Sequence, residues 1–95
     1  MVKSEKKDGK TSFVFEGRMD TATSTSVEKD VETQIARTEG AVVFDLKAVD
    51  FVSSAFLRIC ISAAKKTGAG SFQVANAAPQ IKKVFKIAGL DQFLV

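Results

Sequence analysis

Ala41–Leu46 reads AVVFDL. A short, β-branched and almost continuously apolar run is the pattern of a strand covered on both faces, which is typical of parallel sheets flanked by helices. Helical spacing appears on either side of it. Val27, Val31 and Ile35 recur at i, i+4 and i+8, with Glu28, Lys29, Glu32 and Arg37 opposite them, the pattern of an amphipathic helix. Asp20-Thr21-Ala22-Thr23-Ser24 ahead of that helix is rich in capping residues, and Glu39-Gly40 is expected to stop it.

The remaining elements follow from turn chemistry and periodicity. Val2–Lys7 and Thr11–Glu16 flank Asp8-Gly9, a strong hairpin dipeptide. The first arm is charged and suits an edge; the second carries Phe13, Val14 and Phe15. After AVVFDL, Asp45 is expected to end the strand and Lys47–Val52 to form a loop. Ser53 or Ser54 then caps a second helix, which runs to about Lys66. Thr67-Gly68-Ala69-Gly70 reads as a breaker and Ser71–Ala75 as a short strand. A third helix starts within Asn76 to Pro79, with the proline near its first turn, and carries Ile81, Val84, Phe85 and Ala88 as its buried stripe. Asp91–Val95 is a coda, one turn or a last edge strand. The order β-β-α-β-α-β-α predicts a single α/β domain over residues 1–95. Its sheet should be mixed, mostly parallel and of four to five strands, with right-handed crossovers.

Composition removes several functions. The chain has 95 residues, with no His, Trp or Tyr. Without His the commonest general base, the Ser-His triads and most zinc sites are lost, so neither a catalytic set nor a metal centre nor a cofactor is expected. Asp20, Asp45 and Asp50 could serve an acid–base enzyme, but strand-end caps and solvated loop acids are their ordinary roles. No Gly-rich loop follows a strand, which speaks against a phosphate cradle. The net charge of +3 is mild and the lysines are scattered among acids, so direct nucleic-acid binding is not expected. No run approaches the roughly 18 apolar residues of a membrane span, and the charged MVKSEKKDGK is no signal peptide. A cytoplasmic protein is therefore expected. The lone Cys60 fits a reducing compartment and reads as core filler.

The second helix is unusually apolar. At 100° per residue, Leu57, Cys60, Ile61 and Ala64 share one face, expected to meet the sheet. Arg58 and Lys65 occupy one flank; Phe56, Ile59 and Ala63 occupy the other, towards the back. Either the third helix covers Phe56 and Ile59, or they form a partly exposed docking patch beside Ser53-Ser54. The two serines stand where the loop becomes the helix. One reading is a plain N-cap. The other is a hydroxyl offered to solvent where free backbone N–H groups favour negative charge.

The stretch FDLKAVDFVSSAFLR resembles the signature of STAS domains, the family of bacterial anti-sigma factor antagonists. The matching residues are Asp45-Leu46, Phe51, Ser53-Ser54-Ala55, Leu57 and Arg58. Gly17-Arg18-Met19-Asp20 with Thr23 is similar to the family's opening Gly-x-x-Asp and Thr, and Phe85, Gly89-Leu90-Asp91 and Phe93 to its closing pattern. Two positions depart: Phe56 stands where Gly is usual and Lys47 where Ser is common. The resemblance implies a regulator. Its unphosphorylated form would bind an anti-sigma factor that is also a GHKL-type serine kinase and so free a sigma factor. Serine phosphorylation would end the binding and a PP2C-type phosphatase would restore it. Against Asp-Ser-Ser-Gly-Leu, Ser54 aligns with the first serine and Ala55 with the second, the family's usual acceptor. Ser54, nearer the helix, is the expected acceptor and Ser53 the reserve. Asp20, Thr21, Ala55, Phe56, Arg58 and Ile59 form the expected partner-binding set. The rival reading is a STAS scaffold in a larger signalling assembly, without the switch.

Overall fold

The computed structural model describes all residues except Met1, Glu39 and Ala69. Its elements are β1 (Val2–Lys7), β2 (Lys10–Met19), α1 (Thr21–Ala36), β3 (Ala41–Val52), α2 (Ser54–Thr67), β4 (Phe72–Ala75), α3 (Pro79–Ile87) and a 3₁₀ turn at Asp91–Phe93. The sheet has four strands in the order β1-β2-β3-β4. β1 pairs with β2 antiparallel, while β2–β3 and β3–β4 are parallel. The mixed, mostly parallel α/β sheet read from the sequence is the one observed.

Local chemistry explains the turns. Asp8 and Gly9 both take positive φ, 53° and 77°, as a two-residue hairpin matching strand twist requires. Gly40 is needed for close approach: with φ at 89°, a Cβ there would lie 2.5 Å from the Gly9 carbonyl oxygen. Of the two expected breakers, Glu39 and Ala69 lie outside the described residues, while Thr67 ends α2 and Gly68 caps it.

One face of the sheet holds the core. Phe13, Phe15, Val42, Phe44, Leu46, Phe72 and Val74 join the buried residues of all three helices in one cluster. β2, β3 and β4 advance in one direction, so right-handed crossovers put α1 and α2 on the same side. The opposite face, with Ser12, Val14, Val43, Asp45 and Gln73, is only half-buried. This corrects the expectation that AVVFDL is covered on both sides.

β3 is also longer than expected. Lys47–Val52 is not a loop but the second half of the strand. Against β2 its register slips between Val14 and Glu16 and again between Gly17 and Arg18, and β3 carries the extra residue each time. Buried positions therefore run 42, 44, 46 and then 49, 52. A bulge breaks the period of two that marks a strand in sequence. Asp45 supports the first bulge rather than ending the strand: its Oδ1 accepts the Lys47 N–H at 3.0 Å and an Asn76 side-chain N–H at 3.2 Å.

Aromatic packing fixes α2. Phe44 is the hub, with ring centroids 4.8 Å from Phe15, 4.8 Å from Phe72 and 6.2 Å from Phe56; Phe15 and Phe56 stand edge to face at 5.1 Å. Such pairs add to simple area burial. The buried arc of α2 is accordingly Phe56, Ile59, Cys60 and Ala63, about one residue round from the expected Leu57, Cys60, Ile61 and Ala64. The helix is wedged between the sheet and α1, so its most buried line points between the two. α3 buries Ile81 and Phe85 as expected, but Val84 is half-buried and Ala88 exposed. After the 3₁₀ turn, Leu94 bridges Val74 and the Val95 N–H donates to the Val74 carbonyl at 3.0 Å. The coda thus lies along the outer edge of β4.

Candidate functional site

The parallel strands β2 and β3 end side by side, Met19 against Val52, and a helix starts immediately after each. Asp20 caps α1: its carboxylate accepts the Thr23 N–H at 2.9 Å. That bond, with Arg18 nearby, holds the Asp20 carboxyl below its ordinary pKa. Ser53 caps α2. Its Oγ accepts the Phe56 N–H at 3.3 Å and its carbonyl accepts the Leu57 N–H at 3.1 Å.

The two junctions are tied together. The Ser53 N–H donates to the Met19 carbonyl at 2.9 Å, and the buried Ser24 hydroxyl donates to the same carbonyl at 3.2 Å. Ser24 Oγ also lies 3.4 Å from Ser53 Oγ. Asp20, Thr21, Ser53, Ser54, Ala55 and Arg58 are therefore gathered at one end of the sheet. Arg18 belongs to the same end, its guanidinium 4.2 Å above the ring of exposed Phe51.

The two serines differ sharply. Ser53 is half-buried and occupied as a cap, whereas Ser54 is exposed as the first residue of α2. Among the described residues, the hydrogen bonds at this junction run through Ser53. The early N–H groups of a helix have no intrahelical acceptor, which leaves those of Ser54 and Ala55 for solvent or an anion. Arg58 lies one turn on from Ser54, on the same side of α2, and is exposed.

Two members of the expected partner-binding set are corrected. Phe56 is fully buried and Ile59 is 3% exposed. Neither can form a docking patch, because α1 and the aromatic cluster cover them. Phe56 fills, inside the core, the place where the family usually has Gly. Cys60 is buried too, and burial pushes its thiol well above the ordinary value, so it is packing rather than chemistry.

An apolar surface does flank the serines, on the other side of α2. A groove of about 380 Å³ runs between α2 and α3, with Val52, Leu57, Val84, Ile87 and Ala88 in its lining and both serines in its wall. Ile87 is 78% exposed. Sequence reading missed Ile87 because it falls outside the Ile81–Phe85 stripe; an isoleucine off the buried stripe was the available signal. Among the described residues no group of three or more His, Cys, Asp or Glu could hold a metal, and no helix is long and apolar enough to cross a membrane.

A sheet with one antiparallel edge, α1 and α2 on one side, and a serine-bearing helix start beside the preceding capped helix define a class. Residues 1–94 match the STAS domain family, and the chain belongs to it. It is 30% identical over 87 residues to BtrV of Bordetella bronchiseptica, named as a candidate anti-sigma factor antagonist, covering 90% of this chain and 75% of that one. An anti-sigma factor antagonist from Mycobacterium paratuberculosis superposes with a TM-score of 0.86 at 27% identity, over 99% of this chain and 81% of that one. The unphosphorylated form of the anti-sigma factor antagonist SpoIIAA gives 0.85 at 16% identity, over 100% and 86% of the two chains, a likeness of fold.

Proposed function

We propose that this chain is an anti-sigma factor antagonist switched by phosphorylation of Ser54. Unphosphorylated, it binds an anti-sigma factor that is also a GHKL-type serine kinase and so releases a sigma factor. A PP2C-type phosphatase resets the switch. The observation that carries the reading is the division of labour between the serines: Ser53 is the structural cap, and Ser54 presents a free hydroxyl at the start of α2. The kinase brings ATP and Mg²⁺. Ser54 Oγ takes the γ-phosphoryl group, its proton passes to a base on the kinase, and ADP leaves.

The charge change is local. A phosphoserine adds about −1.5 to −2 charges at neutral pH, and at a helix start the dipole favours it by about 0.3–1 kcal/mol. The fold should therefore tolerate the modification, and the effect falls on the partner, which meets a dianion where it met a hydroxyl. Asp20, Thr21, Ala55 and Arg58 lie around the acceptor and complete the partner-facing end.

Ala55 favours a second reading. It stands where the family's usual acceptor serine would be, and it carries no hydroxyl. On that reading the domain is a STAS scaffold that binds without switching. Incubation with the cognate kinase and ATP, followed by mass spectrometry, separates the two. Phosphate on Ser54 supports the switch, and phosphate on Ser53 alone moves the site by one residue. Phosphate on neither serine, with binding intact, leaves the scaffold.

A further inference from the structure

The groove between α2 and α3 has an unusual electrostatic frame. Between Phe51 and Leu90 the chain carries six basic side chains and no acidic one; all eleven acidic residues lie outside that stretch. The six are Arg58, Lys65 and Lys66 on α2 or in its last turn, and Lys82, Lys83 and Lys86 on α3. The overall +3 hides this segregation, because the acids are concentrated on β1, β2, α1 and β3.

The geometry sets the charges beside the apolar lining. On α2, Arg58 adjoins Leu57 and follows Ser54 by one turn. On α3, Lys83 precedes Ile87 by one turn, and residues four apart are neighbours on a helix surface. Lys82, Lys83 and Lys86 line a separate pocket on α3 with Pro79. The groove exists because α3 is short and rests mainly on β3 and the 3₁₀ turn, whereas α1 packs closely along α2. An apolar floor between two helices that carry only cationic charged side chains, Arg58 on one and Lys83 on the other, complements an amphipathic segment whose polar flanks are acidic.

We propose that this groove receives an acidic amphipathic helix of a partner protein, its apolar side on Leu57, Val84 and Ile87 and its carboxylates towards Arg58 and Lys83. The inference deepens the preceding one by naming the chemistry of the partner's docking segment, and rests on that reading only for who the partner is. It also supplies a physical reason for switching. A phosphate on Ser54 enters the groove's wall one turn from Arg58, so it repels the incoming carboxylates and competes for the same guanidinium.

The test is selection of a displayed library of random helical peptides on the intact protein, with an Ile87→Ser variant as counter-selection. Ile87 is exposed, so this variant should fold, which far-UV circular dichroism and thermal melting check. Enriched sequences should combine apolar residues at i, i+3, i+4 and i+7 with net negative flanks. Peptides made from them should lose about tenfold or more in affinity to a Lys83→Glu/Lys86→Glu variant and weaken as salt rises. No enrichment, or enriched sequences of neutral or positive charge, overturns the proposal. Two further probes guard against other polyanions. Binding of a 20-base-pair DNA duplex, or of vesicles containing anionic phospholipid, that is lost in both Ile87→Ser and Lys83→Glu/Lys86→Glu would assign the groove to nucleic acid or lipid instead. If the cognate anti-sigma factor binds with undiminished affinity to these variants, the groove inference fails while the function stands. If that factor binds neither wild type nor variants, the function fails and the peptide result still decides the groove.

Discussion

The two sides of α2 carry similar side chains and meet opposite fates. On one side Phe56, Ile59 and Ala63 are sealed by α1 and the aromatic cluster. On the other, Leu57, Ile61 and Ala64 are only partly covered, and α3 contributes an isoleucine that is 78% exposed. The difference does not come from the helix. It comes from the neighbours: α1 has 16 residues and α3 has nine, and the longer helix spans the serine end of α2 while the shorter one leaves a gap there. An apolar helix surface becomes core or docking face according to what its neighbours are long enough to reach.

The largest expected effects break the sealed side. Phe56→Gly restores the residue usual in the family, removes a fully buried ring and places a glycine in a helix. Loss of the ring should cost about 3–5 kcal/mol, as for other Phe truncations, and the glycine about 1 kcal/mol more. Urea unfolding measures it. A cost under about 1 kcal/mol would mean that the ring is not an integral part of the core. Ile59→Asp should come next, with several kcal/mol lost to an unpaired buried charge. A melting temperature near wild type would return Ile59 to the surface and undo the distinction between the two sides.

How far the sequence disclosed this arrangement can be judged from particular residues. The hairpin at Asp8-Gly9, the Val27–Val31–Ile35 stripe and the strand–serine–helix junction were legible, because turn chemistry and periodicity are local. The second half of β3 was not. Its bulges replace a spacing of two by a spacing of three, and Asp45, a strand breaker by composition, stays inside the strand by bonding Lys47 and Asn76. The rotation of α2 was hidden for a different reason. Nearly every position of that helix is apolar or small, so periodicity could not choose between neighbouring arcs, and only the Phe15–Phe44 aromatic partners decide it. At the candidate site the sequence pointed to both serines; the assignment of Ser53 to capping needed the 3.3 Å bond to the Phe56 N–H.

Smaller effects sharpen the contrast at the two helix starts. Ser53→Ala should cost about 0.5–2 kcal/mol through loss of the cap, while Ser54→Ala should stay within about 0.5 kcal/mol because the exposed hydroxyl supports nothing. Equal losses would erase the division between cap and acceptor. Asp20 gives a pH signature. Its folded pKa is lowered, so its contribution to stability is present above the ordinary aspartate pKa and is lost as pH falls through the lowered value. Asp20→Asn keeps a capping acceptor but cannot titrate. Melting curves of wild type and variant should therefore converge as pH falls below the ordinary aspartate pKa, and a gap that stays constant on acidification would mean Asp20 is not held by Thr23 in solution.

The smallest effect on stability is also the one that bears most on function. Ile87→Asp is nearly the same chemical change as Ile59→Asp, made on the open side of the helix pair. Ile87 leaves little area to lose, and a carboxylate there remains hydrated within reach of Lys83, one turn earlier. The expected change in unfolding free energy is within about 0.5 kcal/mol, and salt should alter it little, because exposed pairs of this kind are weak. Binding to a partner should suffer out of proportion, since the new charge sits on the floor that must be desolvated. Measuring both variants for stability and for partner affinity places the boundary between core and interface on α2. Large destabilisation by Ile87→Asp would mean that α3 closes over the gap and that no groove exists in solution. Unchanged stability with unchanged affinity would leave the groove open but unused.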